Sequence, residues 1–296
     1  MERLTPPARA STQRDSHEKK QHLIISGAIA LGISVAAGSA IADGNSVCSG
    51  LPSQAALQTV LDASVSAGGN GGLGFNMWGT LVAKDGTVCA VAFSGSQFTD
   101  QWLASRVISA QKANTANGLS LGEGSDMPAN SHFSSGLALS TANLYSAVQP
   151  GGSLYGLQHS NPVDPEVAYS GNAALFGTAH DPLVGNRVGG VNVFGGGLVL
   201  LTKGGIRVGG VGVSGDTSCT DHMVAWHLRH NLNLDHFGPT GSAVGGVAGD
   251  AAHPDNIIFD ITPNPNGGTG ISAGGFGHPT CLFNPNPSTL PAVQNP

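Results

Sequence analysis

Apolar positions at Leu57, Val60, Leu61 and Val65 fall at helical spacing, and Leu51-Pro52 opens the segment, so a helix is predicted over Pro52 to Val65. A glycine linker, Gly68 to Gly74, follows. Two apolar runs, Phe75 to Val82 and Thr87 to Phe93, then flank Lys84-Asp85-Gly86, a strong hairpin signal. Thr99-Asp100 caps a second helix to about Ala116, where Trp102, Leu103, Val107, Ala110 and Ala113 mix an apolar stripe with small residues. A short helix is predicted over Ser140 to Val148. Gly190 to Leu201 reads as a strand, joined through Lys203-Gly204-Gly205 to a β-branched run at Ile206, Val208, Val211 and Val213. A connection that short forces antiparallel pairing. The run breaks at Ser214-Gly215-Asp216 and turns helical, with Thr217, Ser218 and Thr220 as caps and Asp221 in the first turn, where the helix dipole favours a carboxylate. Met223, Trp226 and Leu228 give that helix a partly apolar face. Pro150 to Gly185 has no periodicity, and a structureless stretch of this size within a domain is usually functional or wraps a partner. After His236 the chain reads as loop apart from Asn256 to Ile261, an expected edge strand, and residues 285–296 are expected to form a flexible tail.

Composition narrows the class. With 45 glycines in 296 residues, 10% charged and 5% aromatic residues, the chain has many turns and few salt bridges. Its apolar runs are too strong for a disordered protein, and one glycine-rich globular domain with long surface loops is expected. Lys19-Lys20, the apolar stretch Leu23 to Ala42 and the exit Ala40-Ile41-Ala42 make residues 1–42 an expected secretory signal peptide, which places the protein in the periplasm or outside the cell, with no stable membrane insertion after cleavage. Cleavage would remove five of the twelve Lys/Arg and three of the eighteen Asp/Glu, shifting the net charge from −6 to −8. So acidic a chain is not expected to bind nucleic acid or anionic lipid. All four cysteines follow residue 42, and an even count in an exported chain implies disulfides. Cys48–Cys281, tying the two tails, and Cys89–Cys219, joining a hairpin strand to the central turn, are the expected pairs.

Two motif matches do not survive their context. Gly210-Val211-Gly212-Val213-Ser214-Gly215 fits the dinucleotide fingerprint, with Asp235 downstream, but that motif needs a parallel βαβ unit and the predicted hairpin is antiparallel. Gly118-Leu119-Ser120-Leu121-Gly122 fits the nucleophile elbow, yet it follows a helix and runs into a loop.

Gly212-Val213-Ser214-Gly215, with Asp221 and Ala225 in the next helix, resembles the closing motif of the GlcG/HbpS-like haem-binding family. Ser109 to Ala116 is similar to that family's A-x-K-A-x-T-A helix. Gly189-Gly190 and Phe194-Gly195-Gly196-Gly197 stand where its glycine pair and following strand are found. The resemblance runs from about Leu51 to Leu232. The chain departs from short family members in its signal peptide, its cysteines, the Pro150 to Gly185 insertion and a C-terminal extension. The resemblance implies a three-layer α/β/α profilin-like domain with a five-stranded antiparallel sheet, here spanning residues 43–284. It also implies dimer-based oligomers and haem or tetrapyrrole binding without an established catalytic activity.

Haem requires an apolar slot, an axial donor, and cations or amides for its propionates. His222, His227 and His230 supply donors on one helix, and His222 is ranked first for the iron because it directly follows the family's aspartate. His159, His180 and His278 lie in loops that would fold over the site. Arg106, Lys112 and Arg229 are candidates for the propionates, and Met77 and Met223 for a sixth ligand. Gly212, Ser214 and Gly215 would shape the backbone beside the ligand. For any one of the histidines, a surface or hydrogen-bonded side chain is the commoner role, and Lys112 equally reads as a lysine snorkelling to the surface. Two other classes fit the same residues. One is an exported zinc or iron enzyme using His222, His227, His230 or His236 with Asp221 or Asp235, although H-x4-H-x2-H is no familiar catalytic motif. The other is a non-catalytic oligomeric scaffold.

Overall fold

The computed structural model describes residues 46–125, 128, 130–238, 244–268 and 270–295; the expected signal peptide lies outside the described residues. The hairpin runs become β1 (Trp78–Ala83) and β2 (Val88–Phe93), and the second pair becomes β3 (Gly197–Thr202) and β4 (Ile206–Ser214). They form one four-stranded sheet in the order β2-β1-β4-β3, with every pairing antiparallel. Among the described residues, no fifth strand joins this sheet. Asn256 to Asp260 lies outside any strand, and only Ile261–Thr262 forms a two-residue ladder, with Ile271–Ser272. The antiparallel pairing of β4 with both neighbours rules out the βαβ unit that dinucleotide binding needs.

Three helices accompany the sheet: α1 (Gln54–Val65), α2 (Ser105–Gly118) and α3 (Ser218–Asn231). Ser53 caps α1 by accepting from the Ala56 N–H, and Thr217 caps α3 by accepting from the Thr220 N–H. Helix α2 starts later than Thr99-Asp100 suggests and has no side-chain cap. Asp100 instead accepts from the Ser96 and Gln97 N–H groups and closes the preceding turn. The segment Ser140 to Val148 divides into a 3-10 turn, Thr141–Asn143, and one α turn, Leu144–Ala147.

Alternation along β1 sorts its side chains into two cores. Leu81 joins Leu57 and Leu61 of α1, Val211 and Val213 of β4, and Met223, Trp226 and Leu228 of α3. Trp78 and Val82 join Val107, Ala110 and Ala113 of α2. The contact between α2 and β4 is made by backbone. A Cβ built on Gly212 would stand 1.9 Å from the Ser109 carbonyl oxygen, and one on Gly210 2.3 Å from that of Ala113. No other residue fits at these positions.

The disulfides join Cys48 to Cys89 and Cys219 to Cys281, correcting both expected pairs. Cys48 lies beside β2, and Cys281 is brought back to the first turn of α3. The stretch expected to be a flexible tail packs down instead. Leu290 and Val293 join the main core, and the Pro291 carbonyl accepts from Trp226 Nε1 at 2.9 Å.

Gly212→Ala should destabilise the protein by about 3 kcal/mol through forced separation of α2 from β4, whereas Gly68→Ala, whose added methyl would meet nothing within 4 Å, should stay close to wild type. Urea unfolding followed by circular dichroism measures both, and equal stability of the two variants would contradict the backbone contact.

Candidate functional site

Lys112 is completely buried. Its ammonium donates to Asp221 Oδ2 at 2.6 Å and to the Val213 carbonyl at 3.0 Å, and lies 4.5 Å from the centre of the Phe194 ring. Asp221 Oδ1 accepts from the Gly215 and Asp216 N–H groups at 3.1 and 2.9 Å. The family-like helix and the family-like glycine turn therefore meet at one ion pair. Ser214 Oγ bonds Ser105 Oγ, and Gly212 lies beneath Ser109, so these residues shape the junction and do not open onto a cleft. Burial pushes the Asp221 carboxyl up to about 6, against the pull of Lys112 and of the backbone donors, and the same burial lowers the Lys112 ammonium. Lys112 is neither a snorkelling lysine nor a free counter-ion.

The other two candidate cations are committed in the same way. Arg106 forms a bidentate pair with Asp181 and stacks on Phe176, its Cζ 3.7 Å from the ring centre. Asp181 also accepts from the Gly177 and Leu183 N–H groups, which fixes the long insertion against α2. Arg229 forms a bidentate pair with Asp255 at 2.6 and 2.9 Å, against Trp226 and Phe237. Sequence reasoning missed Asp181 and Asp255. Asp181 stood in an Asp-Pro turn, and nothing in the sequence marked Asp255 as the partner of a helix residue.

The segment carrying Asp255 also covers His222, which is 0% exposed. Asn256 Oδ1 lies 3.2 Å from His222 Nε2, and the Ile257 N–H is shared between that oxygen at 2.8 Å and Nε2 at 3.2 Å. Its Nδ1 is buried without a hydrogen-bond partner. Burial lowers the ring to about 4. His278, also buried, is lowered to about 4, mainly by desolvation. His230 pairs with Asp235 at 2.7 Å, and His227 is half-buried, its basicity reduced by burial and by His230. His236 bonds Asn233 Oδ1 through Nε2. Met77 and Met223 belong to the main core. Helix α3 is thus an internal element, and its histidines do not converge. Among the described residues, only Cys219, His278 and Cys281 bring three potential metal donors together.

His159 and His180 are exposed. His159 lies between Leu157 and Ser160, both of which line an open groove of about 400 Å³. Its other walls include Asn114 and Thr115 of α2, Leu119, the Gly189-Gly190 pair and Val191.

Replacing Lys112 by Met should cost about 3–5 kcal/mol, because Asp221 then lies buried and uncompensated. Lys112→Met/Asp221→Asn, which keeps an oxygen for Gly215 and Asp216, should recover part of that loss in a double-mutant cycle of urea unfolding. Strict additivity would contradict the coupling. His222 carries a separate pH signature. Its folded pKa lies below the unfolded 6.5, so its contribution is complete above that pH and is lost as the pH falls toward 4. Asp221, raised in the folded state, acts oppositely between 3.8 and about 6. Comparing wild type with His222→Gln isolates the histidine. The variant should lose stability less steeply over that interval, by about 1.4 kcal/mol per pH unit; parallel stability curves would refute the assignment.

A scan against family models finds no match, and a search of curated proteins finds none. Solved structures do match. A PduOC:heme complex is 21% identical over 61% of this chain and 91% of its own, with a TM-score of 0.38. The Klebsiella pneumoniae protein ORFY, of DUF336, is 23% identical over 61% and 90%, at 0.37. HbpS is 17% identical over 61% and 89%, at 0.35. These three, among the solved structures that match, are GlcG/HbpS-like proteins.

Proposed function

We propose that the protein is an exported haem- or tetrapyrrole-binding protein of the GlcG/HbpS-like type that captures, buffers or senses haem, on a three-layer α/β/α profilin-like arrangement. Support comes from the sequence resemblance, whose two separated motifs meet at Lys112 and Asp221. The observation that carries the ligand reading is the groove beside α2. It borders the family-like helix and glycine pair, has the volume of a small-molecule site, and is flanked by exposed His159.

On this reading haem would sit at the groove rather than on α3. His159 is exposed and stands in the chain between the groove residues Leu157 and Ser160, so its use as a donor would leave the core intact, whereas His222 lies sealed under Asn256 and Ile257. Arg106, Lys112 and Arg229 are each held by a carboxylate, so propionates would face solvent or the polar rim of Asn114, Ser160 and Asn161. Bound haem would supply an iron centre for ligand or electron exchange. The chain would supply a donor and an apolar wall from Leu119, Leu157 and Val191.

Two disulfides suit an oxidising compartment, and no helix among the described residues is long and apolar enough to cross a membrane. A homo-oligomer belongs to this reading and is favoured by the exposed apolar side chains of Phe75 and Trp102, in edge contact at 5.3 Å, and of Leu103.

Haemin titrated into the protein should give a saturable Soret shift. The shift should be lost or weakened by at least about tenfold in His159→Ala and retained in His222→Gln. Absorbance with circular dichroism on each variant separates ligand loss from unfolding. No shift in the folded wild type would overturn the haem reading, and loss only in His222→Gln would return the donor to α3.

A further inference from the structure

We infer that the Cys219–Cys281 disulfide, once reduced, becomes with His278 a site for one soft d10 cation, Cu+ or Zn2+. This rests on neither haem nor the groove. Cys219 lies in the first turn of α3, and His278 and Cys281 approach it from the C-terminal segment, their donor atoms all lying within 4.8 Å of one another. Cys219 Sγ and His278 Nδ1 are 3.9 Å apart. Two donors on one ion, at bond lengths of about 2.3 Å for sulfur and 2.0 Å for nitrogen, stand roughly 3.5–3.8 Å apart. The two sulfurs must separate, and that is what breaking their bond allows.

The surroundings favour thiolates and a neutral imidazole. The Cys219 N–H points at Cys281 Sγ at 3.3 Å, at the N-terminus of a fourteen-residue helix, where a negative sulfur is stabilised. His278 is buried, and desolvation keeps its ring uncharged at neutral pH. In the disulfide form its Nδ1–H donates to the Pro279 carbonyl at 2.7 Å, and Nε2 accepts from Ser218 Oγ at 2.9 Å. Ligation uses the other tautomer. The Ser218 hydroxyl then accepts from Nε2–H and orients the ring, and the Nδ1 lone pair becomes available to the ion once the Pro279 carbonyl, 2.7 Å away in the disulfide form, turns aside. Two thiolates and an imidazole select Cu+ or Zn2+ over harder ions. Cys281 is only partly buried, so solvent can take a fourth position.

The balance is a two-electron exchange. A dithiol reductant transfers two electrons and two protons to the disulfide and is itself oxidised to a disulfide, and the incoming ion then displaces the two cysteine protons.

The test uses the full chain, reduced with dithiothreitol and desalted under argon, then titrated separately with Zn2+ and Cu+ against chromophoric chelators. Reduced wild type and Cys48→Ser/Cys89→Ser should each bind one equivalent, and oxidised wild type none. Cys219→Ser/Cys281→Ser should abolish binding, and His278→Ala should weaken it about 100-fold. The arm with the tighter stoichiometric binding identifies the ion. Absence of binding in the reduced protein would overturn the proposal, as would its survival without Cys219 and Cys281 or indifference to His278. If reduction unfolds the chain, one equivalent of ion should restore the far-UV spectrum, and failure to do so counts equally against the site.

Discussion

The structure depends on a strand with no side chains where a helix must pass. Gly210 and Gly212 let the backbone of α2 rest directly on β4. At that separation Lys112 has no route to solvent, and its ammonium reaches inward to the Val213 carbonyl and Asp221. Asp221 in turn holds the Gly215 and Asp216 N–H groups, which sets the turn into α3. The position of α3 decides where Arg229, His222 and Cys219 lie. An added methyl on β4 would therefore be felt first as a lifted helix and then as a buried carboxylate without its cation, a far larger penalty than lost packing alone.

The hairpins were legible because turn residues and apolar runs are local signals, and Lys84-Asp85-Gly86 and Lys203-Gly204-Gly205 carry them unambiguously. The caps of α3 were legible for the same reason. Antiparallel pairing followed from loop length alone, which correctly removed the dinucleotide fingerprint. The fate of Lys112 was not legible. Whether a helical lysine snorkels or is buried depends on how closely its neighbours approach, and that is a property of β4, about a hundred residues away. Disulfide pairing failed likewise. Four cysteines allow three connectivities, and the choice rests on how the C-terminal segment returns to α3, which no periodicity records. The five-stranded sheet came from the resemblance. In this chain the residues expected at its edge run as irregular backbone over α3, with a two-residue ladder beyond them.

The candidate site was legible as a list of residue types and illegible as a place. Arg106, Lys112 and Arg229 were singled out as cations for a ligand, and each is instead bound to an aspartate of the protein itself: Asp181, Asp221 and Asp255. The physical reason is common to all three. A charge inside a protein persists only when paired and hydrogen-bonded, and a chain with so few charged residues spends its buried ones on joining elements. Arg106 pins the long insertion, Lys112 joins α2 to α3, and Arg229 pins the C-terminal segment. A single-residue reading cannot separate a cation waiting for a ligand from one already answered within the fold.

This allocation constrains where chemistry can occur. The insertion and the C-terminal segment, the two regions that set the chain apart from shorter relatives of the motif, act in opposite ways on the histidines. The C-terminal segment lies over α3 and draws His222, Trp226 and Arg229 into the interior, held by Asn256, Pro291 and Asp255. The insertion passes close to α2 and leaves His159 in solvent beside the groove. Burial lowers the proton affinity of His222 and keeps it a neutral ring, yet it also removes the free volume any incoming ligand would need. Exposure keeps that volume at His159. A histidine-rich helix is therefore weak evidence for a ligand site when another segment of the same chain is long enough to cover it, and donors in less regular segments that remain solvated carry more weight.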